Sequence, residues 1–180
     1  MKKYAYVLLN LIIFSNLYSQ DSPSVEKNQF KINILLPGFV YEHGFTTKNT
    51  LYSEISFGIG YRNNDYYGSE WSFYPTITEQ FRHYYNLDRR TSKGKVTVHN
   101  SGGFVALHSD YRFKAISTND ALSSLESSFT IGTVWGFERT YRSNFNLGLN
   151  MGAGYNVSSN SNDSGFVPVL GFSLGWVIGK

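Results

Sequence analysis

Between residues 51 and 62 the chain alternates strictly. Leu51, Ser53, Ile55, Phe57, Ile59 and Tyr61 share one parity, and Glu54, Ser56, Gly58, Gly60 and Arg62 share the other. A period of two sends successive side chains to opposite faces of an extended strand, whereas one face of a helix needs a period near 3.6. The same alternation recurs along the chain and predicts eight strands: 30–36, 39–45, 51–62, 73–85, 103–113, 128–138, 144–155 and 166–178. Aromatic residues at 17%, with 17 Gly and 4 Pro, suit pleated strands and tight turns. The one blemish is Glu79, which falls on the apolar side of its strand; a bulge there would shift the register, and nearness to an interface would accommodate the charge.

The absence of cysteine excludes a disulfide framework, a thiolate metal site, a cysteine nucleophile and a lipidated cysteine. At the start of the chain, Lys2 and Lys3 precede an apolar run over 4–14 interrupted by Asn10, followed by small or polar residues. This is the pattern of a cleaved export signal, with cleavage expected after Ser19 or Gln20; the run is about half the ~20 residues a membrane-spanning helix needs. The expected organisation is a signal peptide over 1–20, a short periplasmic segment over 21–29 and one β domain over 30–180. Lys2 and Lys3 supply two of the formal +3 charges, so no nucleic-acid partner is expected.

Alternation alone does not say which face meets the solvent. A water-soluble barrel turns its apolar face inward and needs charged side chains outside. Here the non-apolar faces are mostly Gly, Ser, Thr and Asn, a poor solvated surface but a suitable lining for a narrow closed interior. The apolar faces run for about 9–13 positions in most strands, with aromatics near many strand ends, as in lipid-facing bands and their girdles. A chain that crosses a membrane with strands must close its sheet to satisfy the backbone. The expectation is therefore an all-β, eight-stranded, antiparallel, up-and-down transmembrane β-barrel in the outer membrane. A soluble lipocalin-like ligand-binding barrel is the alternative if the faces are reversed.

Three segments also carry a resemblance: KINILLPGFVYEHGF over 31–45, the spaced set Pro75, Glu79, Arg82, Tyr84 and Tyr85, and GGFVALH over 102–108. In this order they resemble small outer-membrane β-barrel proteins of Bacteroidota, with an OmpA-like barrel architecture and a size close to this chain's. The resemblance implies eight strands with both termini in the periplasm, and it implies no activity. It would make 37–38, 63–72, 114–125 and 156–165 the cell-exterior connections, and 46–49, 86–101 and 139–143 the periplasmic turns.

The charges predicted to face inward are Lys31, Glu42, Glu54, Arg62, Arg82, His108, Asp110, Arg112 and Glu138, with nearly balanced signs. In an interior too narrow for bulk water, a charge persists only with a partner. The pattern predicts a lower cluster of Lys31, Glu54, Arg82 and Glu138, and an upper one of Asp110 and Arg112, with Arg62 as a further candidate. Their expected role is to fill the barrel and fix its register.

No catalytic set, cofactor site or metal cluster is expected. The rival reading, a lipid A-modifying barrel enzyme, would need a converging Ser–His pair. The candidates are His99 with Ser101, His108 with Ser109, and the outward His43 or His83; adjacency places His108 and Ser109 on opposite faces. The Gly-x-Gly spacings Gly58/Gly60 and Gly152/Gly154 read as small interior positions. The basic turn, with Arg89, Arg90, Lys93 and Lys95, could meet anionic headgroups. Expected partners are outer-membrane lipid and an unidentified periplasmic or surface protein, with the chain itself a monomer.

Overall fold

The computed structural model describes residues 24–64, 68–117, 126–159 and 164–179. The export-signal reading over 1–20 lies outside them. The chain forms β1 (Asn28–Asn33), β2 (Gly38–Gly44), β3 (Asn49–Asn64), β4 (Gly68–Tyr84), a short helix α1 (Leu87–Thr91), β5 (Gly103–Arg112), β6 (Ile116–Ser117), β7 (Ser128–Thr140), β8 (Phe145–Ser158) and β9 (Gly165–Gly179). Eight of these strands pair antiparallel with their chain neighbours, and β9 pairs with β1, so the sheet closes into a ring. The two-residue β6 continues the β5 seam by pairing with Ser72 and Phe73 of β4.

The eight predicted strands are present, with shifted ends. Residues 34–36 leave β1 for a turn, and β3 and β4 run through much of the predicted connection over 63–72, pairing up to Asn64↔Gly68. The polar composition of these strand tips leaves the alternation without contrast. The predicted turn over 86–101 contains α1 and forms a plug at one end of the ring. Leu87 packs there with Val25, Tyr84 and Phe104.

The faces segregate by polarity in the opposite sense to a water-soluble core. Buried side chains include Lys31, Glu42, Gln80, Arg82 and Glu138, while Phe39, Leu170 and Phe166 are 67%, 77% and 88% exposed. Aromatic contacts on the outside lie toward both ends: at the plugged end Phe45 lies beside His43, Phe145 beside Trp176, and Trp135 Nε1 donates to Tyr85 Oη at 2.8 Å, and at the other end Tyr61 lies beside Trp71 and Tyr155 beside Phe166.

No bulge occurs at Glu79. The β3–β4 register runs unbroken from Asn49↔His83 to Asn64↔Gly68, and β4–β5 is equally regular. Glu79 stays on the outer face, half-buried, accepting a hydrogen bond from Ser53 Oγ at 2.7 Å and facing Ser109 in the register. Three polar residues on adjacent strands thus form a row across an otherwise apolar exterior.

The plug is tied to the chain's first described residues. Glu26 N donates to Asn100 Oδ1 at 2.7 Å, His99 N donates to Glu26 Oε1 at 3.2 Å, and Val25 N donates to Thr47 O at 3.0 Å. His99 and Asn100 both hold positive φ, at 54° and 57°, a region asparagine tolerates better than most residues. Asn100→Ala removes the acceptor of a part-buried N–H and leaves a poorer residue in that backbone conformation. The expected loss is about 1–3 kcal/mol of stability, read as a lower denaturant midpoint. An unchanged midpoint would contradict the role assigned to this contact.

Candidate functional site

The interior has three levels, each built from the inward parity of several strands. At the plugged end, Tyr84, Leu87 and Phe104 are at most 1% exposed and close the ring. Above them lies a buried charge cluster. Lys31 from β1 donates to Glu138 Oε2 from β7 at 2.6 Å and stands 3.2 Å from Glu42 Oε2 of β2. Arg82 from β4 donates to Glu138 Oε1 at 2.6 Å and has Glu42 Oε2 at 3.8 Å. Two cations and two carboxylates from four strands therefore neutralise one another. Thr50 Oγ1 and Tyr84 Oη donate to Glu42 Oε1 at 2.7 and 2.9 Å. The Arg82 guanidinium is sandwiched between the rings of Tyr52, 3.6 Å from its centroid, and Phe104, at 4.3 Å.

This arrangement corrects the predicted lower cluster. Glu42 takes the place expected for Glu54, which sits higher and accepts from Asn33 Nδ2 at 2.7 Å and Tyr52 Oη at 2.8 Å. Sequence parity placed both carboxylates inside; only the cross-ring geometry selects between them.

Above the cluster is a polar chamber of about 490 Å³. From Arg82 a hydrogen-bonded chain rises along the wall. Arg82 Nε donates to Gln80 Oε1 at 2.7 Å, Gln80 Nε2 meets His108 Nδ1 at 3.0 Å, and His108 Nε2 meets Asp110 Oδ1 at 3.0 Å. With the Gln80 carbonyl held by Arg82, its amide nitrogen donates to Nδ1. The His108 proton then sits on Nε2 and is donated to Asp110.

The predicted Asp110–Arg112 pair does not form, because Asp110 is engaged by His108. Arg112 instead lies over the ring of Tyr74, 5.8 Å from its centroid, and its Nε is buried without an acceptor. The Arg62 side chain lies outside the described residues; its backbone pairs with Glu70. The Tyr74 ring crosses Gly58, where a Cβ would come 2.0 Å from Tyr74 Cε2, so glycine at that interior position admits the aromatic wall of the chamber.

The histidines and serines weighed for nucleophilic chemistry are engaged elsewhere. Ser109 lies outward beside Glu79, away from His108. Ser101 is buried and accepts from Thr140 N at 2.8 Å. His43 Nδ1 meets Asn28 Oδ1 at 2.9 Å, and His83 Nδ1 meets Asn49 Oδ1 at 2.7 Å. Among the described residues, no group of three His, Asp or Glu side chains is placed to hold a metal ion.

At the plugged end, Arg89, Arg90, Lys93, Lys95 and Arg139 surround a cleft of about 450 Å³, while Asp88 is taken by Lys48 at 2.5 Å. Sequence reasoning found the basic turn but missed Arg139, which the ring brings to it from β7. It also missed the plug, whose only clear signal was the isolated apolar Leu87 within a polar segment. Compared with protein-family models, curated proteins and solved structures, the chain matches none.

Proposed function

We propose that this chain is a small outer-membrane β-barrel, exported to the envelope, with a structural or interaction role and no catalytic activity. Its apolar exterior contacts lipid, and the interior is closed by side chains toward the periplasm. Both termini and the basic turn then face the periplasm, as the resemblance to Bacteroidota outer-membrane barrels implies. The observation that carries this reading is the inverted polarity of the ring. Phe, Ile, Leu and Trp cover the outside while a neutral set of buried charges crosses the inside below the chamber. Soluble monomers rarely expose apolar patches beyond a few hundred Å², and in lipid a closed ring is the sheet arrangement that satisfies its backbone.

The apolar turn over 34–37 also supports the proposal. Ile34, Leu35 and Leu36 are each about half exposed at a hairpin tip, where a soluble protein would place polar residues. Fractionation tests the proposal: the protein should require detergent for extraction from the outer-membrane fraction and should migrate faster on a gel when unboiled. Soluble periplasmic recovery without a mobility shift would contradict it and favour the lipocalin-like alternative.

On this reading Glu79 sits on the lipid side with only local polar company. Glu79→Leu is expected to raise the stability of the protein folded in vesicles by about 1–2 kcal/mol, since outward charges at membrane depth are unfavourable. A lowered denaturant midpoint would show that the Ser53 contact outweighs the penalty.

A further inference from the structure

The ring is not equally tall around its circumference. Pairing of β2 with β3 ends at Gly38↔Ser56, with one more bond from Phe57 N to Pro37 O. Pairing of β1 with β9 ends at Asn33↔Gly175, with one more from Ile34 N to Leu174 O. Beyond these points, Gly58–Asn64 of β3 and Gly165–Ser173 of β9 have no strand partner on that side among the described residues. The stretch of β3 is about 23 Å long at ~3.3 Å per residue. The two vacant strand places leave a lateral notch on the order of 10 Å wide.

The strand chemistry agrees with an open edge there. Because Leu174 turns its carbonyl to β1, the even-numbered residues of β9 turn their backbone groups to the notch. Pro168 is one of them, and it has no N–H to leave unpaired. The chamber is bordered by both edges of this notch, for its lining includes Gly58 of β3, Leu36 at the hairpin tip, and Val169 and Leu170 of β9. The polar chamber therefore lies behind the notch, whose borders carry the exposed apolar residues Leu36 and Leu170.

Arg112 is placed to receive what enters. It comes from β5, which stands opposite β1 in the ring of eight, and it shares a register row with the hairpin tip through Thr76, Ser56 and Gly38. Both oxygens of Glu54 are already engaged by Asn33 and Tyr52, and Asp110 is engaged by His108. Arg112 has no carboxylate within ion-pair distance among the described residues, and its buried Nε lacks an acceptor. A partly desolvated guanidinium with an aromatic neighbour and no anionic partner favours an anionic oxygen ligand.

We propose that the chamber binds a single-chain amphiphile with an anionic headgroup, the head against Arg112 and the alkyl chain leaving through the notch between β3 and β9. This proposal rests on the outer-membrane reading, because the chain would then lie in hydrocarbon.

The test uses the protein folded in dodecyl maltoside, with laurate, dodecanol and acetate as probes and native mass spectrometry as the readout. Laurate should be retained one to one, and dodecanol and acetate at least tenfold more weakly. Arg112→Gln should weaken laurate by about tenfold to a hundredfold, the range of a charge-assisted hydrogen bond, while Arg112→Lys should retain most of the binding. Equal retention by Arg112→Gln, or acetate bound as well as laurate, would overturn the proposal. So would a second polypeptide held one to one in place of laurate, which would make the notch a strand-docking edge. The gel-mobility shift on the same samples separates the two levels of inference. A shifted protein indifferent to laurate overturns the site and keeps the membrane reading; an unshifted, detergent-independent protein overturns the membrane reading whatever it binds.

Discussion

Glu138→Ala is expected to destabilise the protein by about 3–5 kcal/mol, the usual penalty for removing one partner of a buried ion pair. Glu138 is 3% exposed and receives hydrogen bonds from both Lys31 and Arg82 at 2.6 Å. Its loss leaves two cations sharing Glu42, which Arg82 approaches only to 3.8 Å. Replacing the whole set by apolar residues of similar volume is a different experiment, since a buried network can be removed with little loss when no member is left behind. The contrast separates the penalty of an orphaned charge from the net worth of the network. Denaturant midpoints of Glu138→Ala and of a combined Lys31→Met, Glu42→Leu, Arg82→Met and Glu138→Leu variant should differ, with the single substitution the less stable. A single variant as stable as the parent would mean that water reaches the cluster and that it does not seal the interior.

Phe104→Ala is expected to cost a similar amount, about 3–5 kcal/mol, by a different route. Phe104 is 1% exposed, packs 5.5 Å from Tyr84 between ring centroids and covers one face of the Arg82 guanidinium. Truncation opens a cavity directly under the charge cluster, where packing and electrostatic loss combine. Phe104→Leu restores much of the volume without the aromatic face. It should recover more than half of the loss if packing dominates and less if the cation–π contact does. Unfolding midpoints of the two variants measure this directly. A loss below about 1 kcal/mol for Phe104→Ala would show that the plug does not depend on this ring.

Much of this architecture is legible in the sequence because a strand's side-chain parity is a local property. Ile77 and Phe81 lie outside and Gln80 and Arg82 inside, as alternation predicts, without any knowledge of the neighbouring strands. Partnership is not local. Glu42 and Glu54 both have inward parity, yet the β1–β2 register, with Gln29 facing Glu42 and Lys31 facing Val40, sets Glu42 diagonally beside Lys31, while Glu54 lies one strand further away, facing Val40 from β3. Asp110 and Arg112 share a face and suggest a pair, but Gln80, fixed by Arg82, directs His108 onto Asp110 first. The uneven wall was half visible. The first two strands are the shortest of the eight in the sequence, but the turn that takes over 34–36 and the unpaired upper edges of β3 and β9 follow only from which residues pair. The plug was hidden for another reason: it is held by backbone and asparagine contacts, which leave no periodic pattern.

In the proposed membrane arrangement the apolar face of the ring meets lipid. Trp71, Trp135 and Trp176 all lie on that face, at 50%, 42% and 41% exposure, and the sequence holds 3 Trp. The direct measurement is tryptophan fluorescence of the protein folded into vesicles whose lipids carry bromine on their acyl chains. Inserted as proposed, the protein should be strongly quenched relative to unbrominated vesicles, with little further quenching by aqueous iodide. Fluorescence indifferent to the brominated lipid and open to iodide would contradict the membrane arrangement and place the apolar face in water.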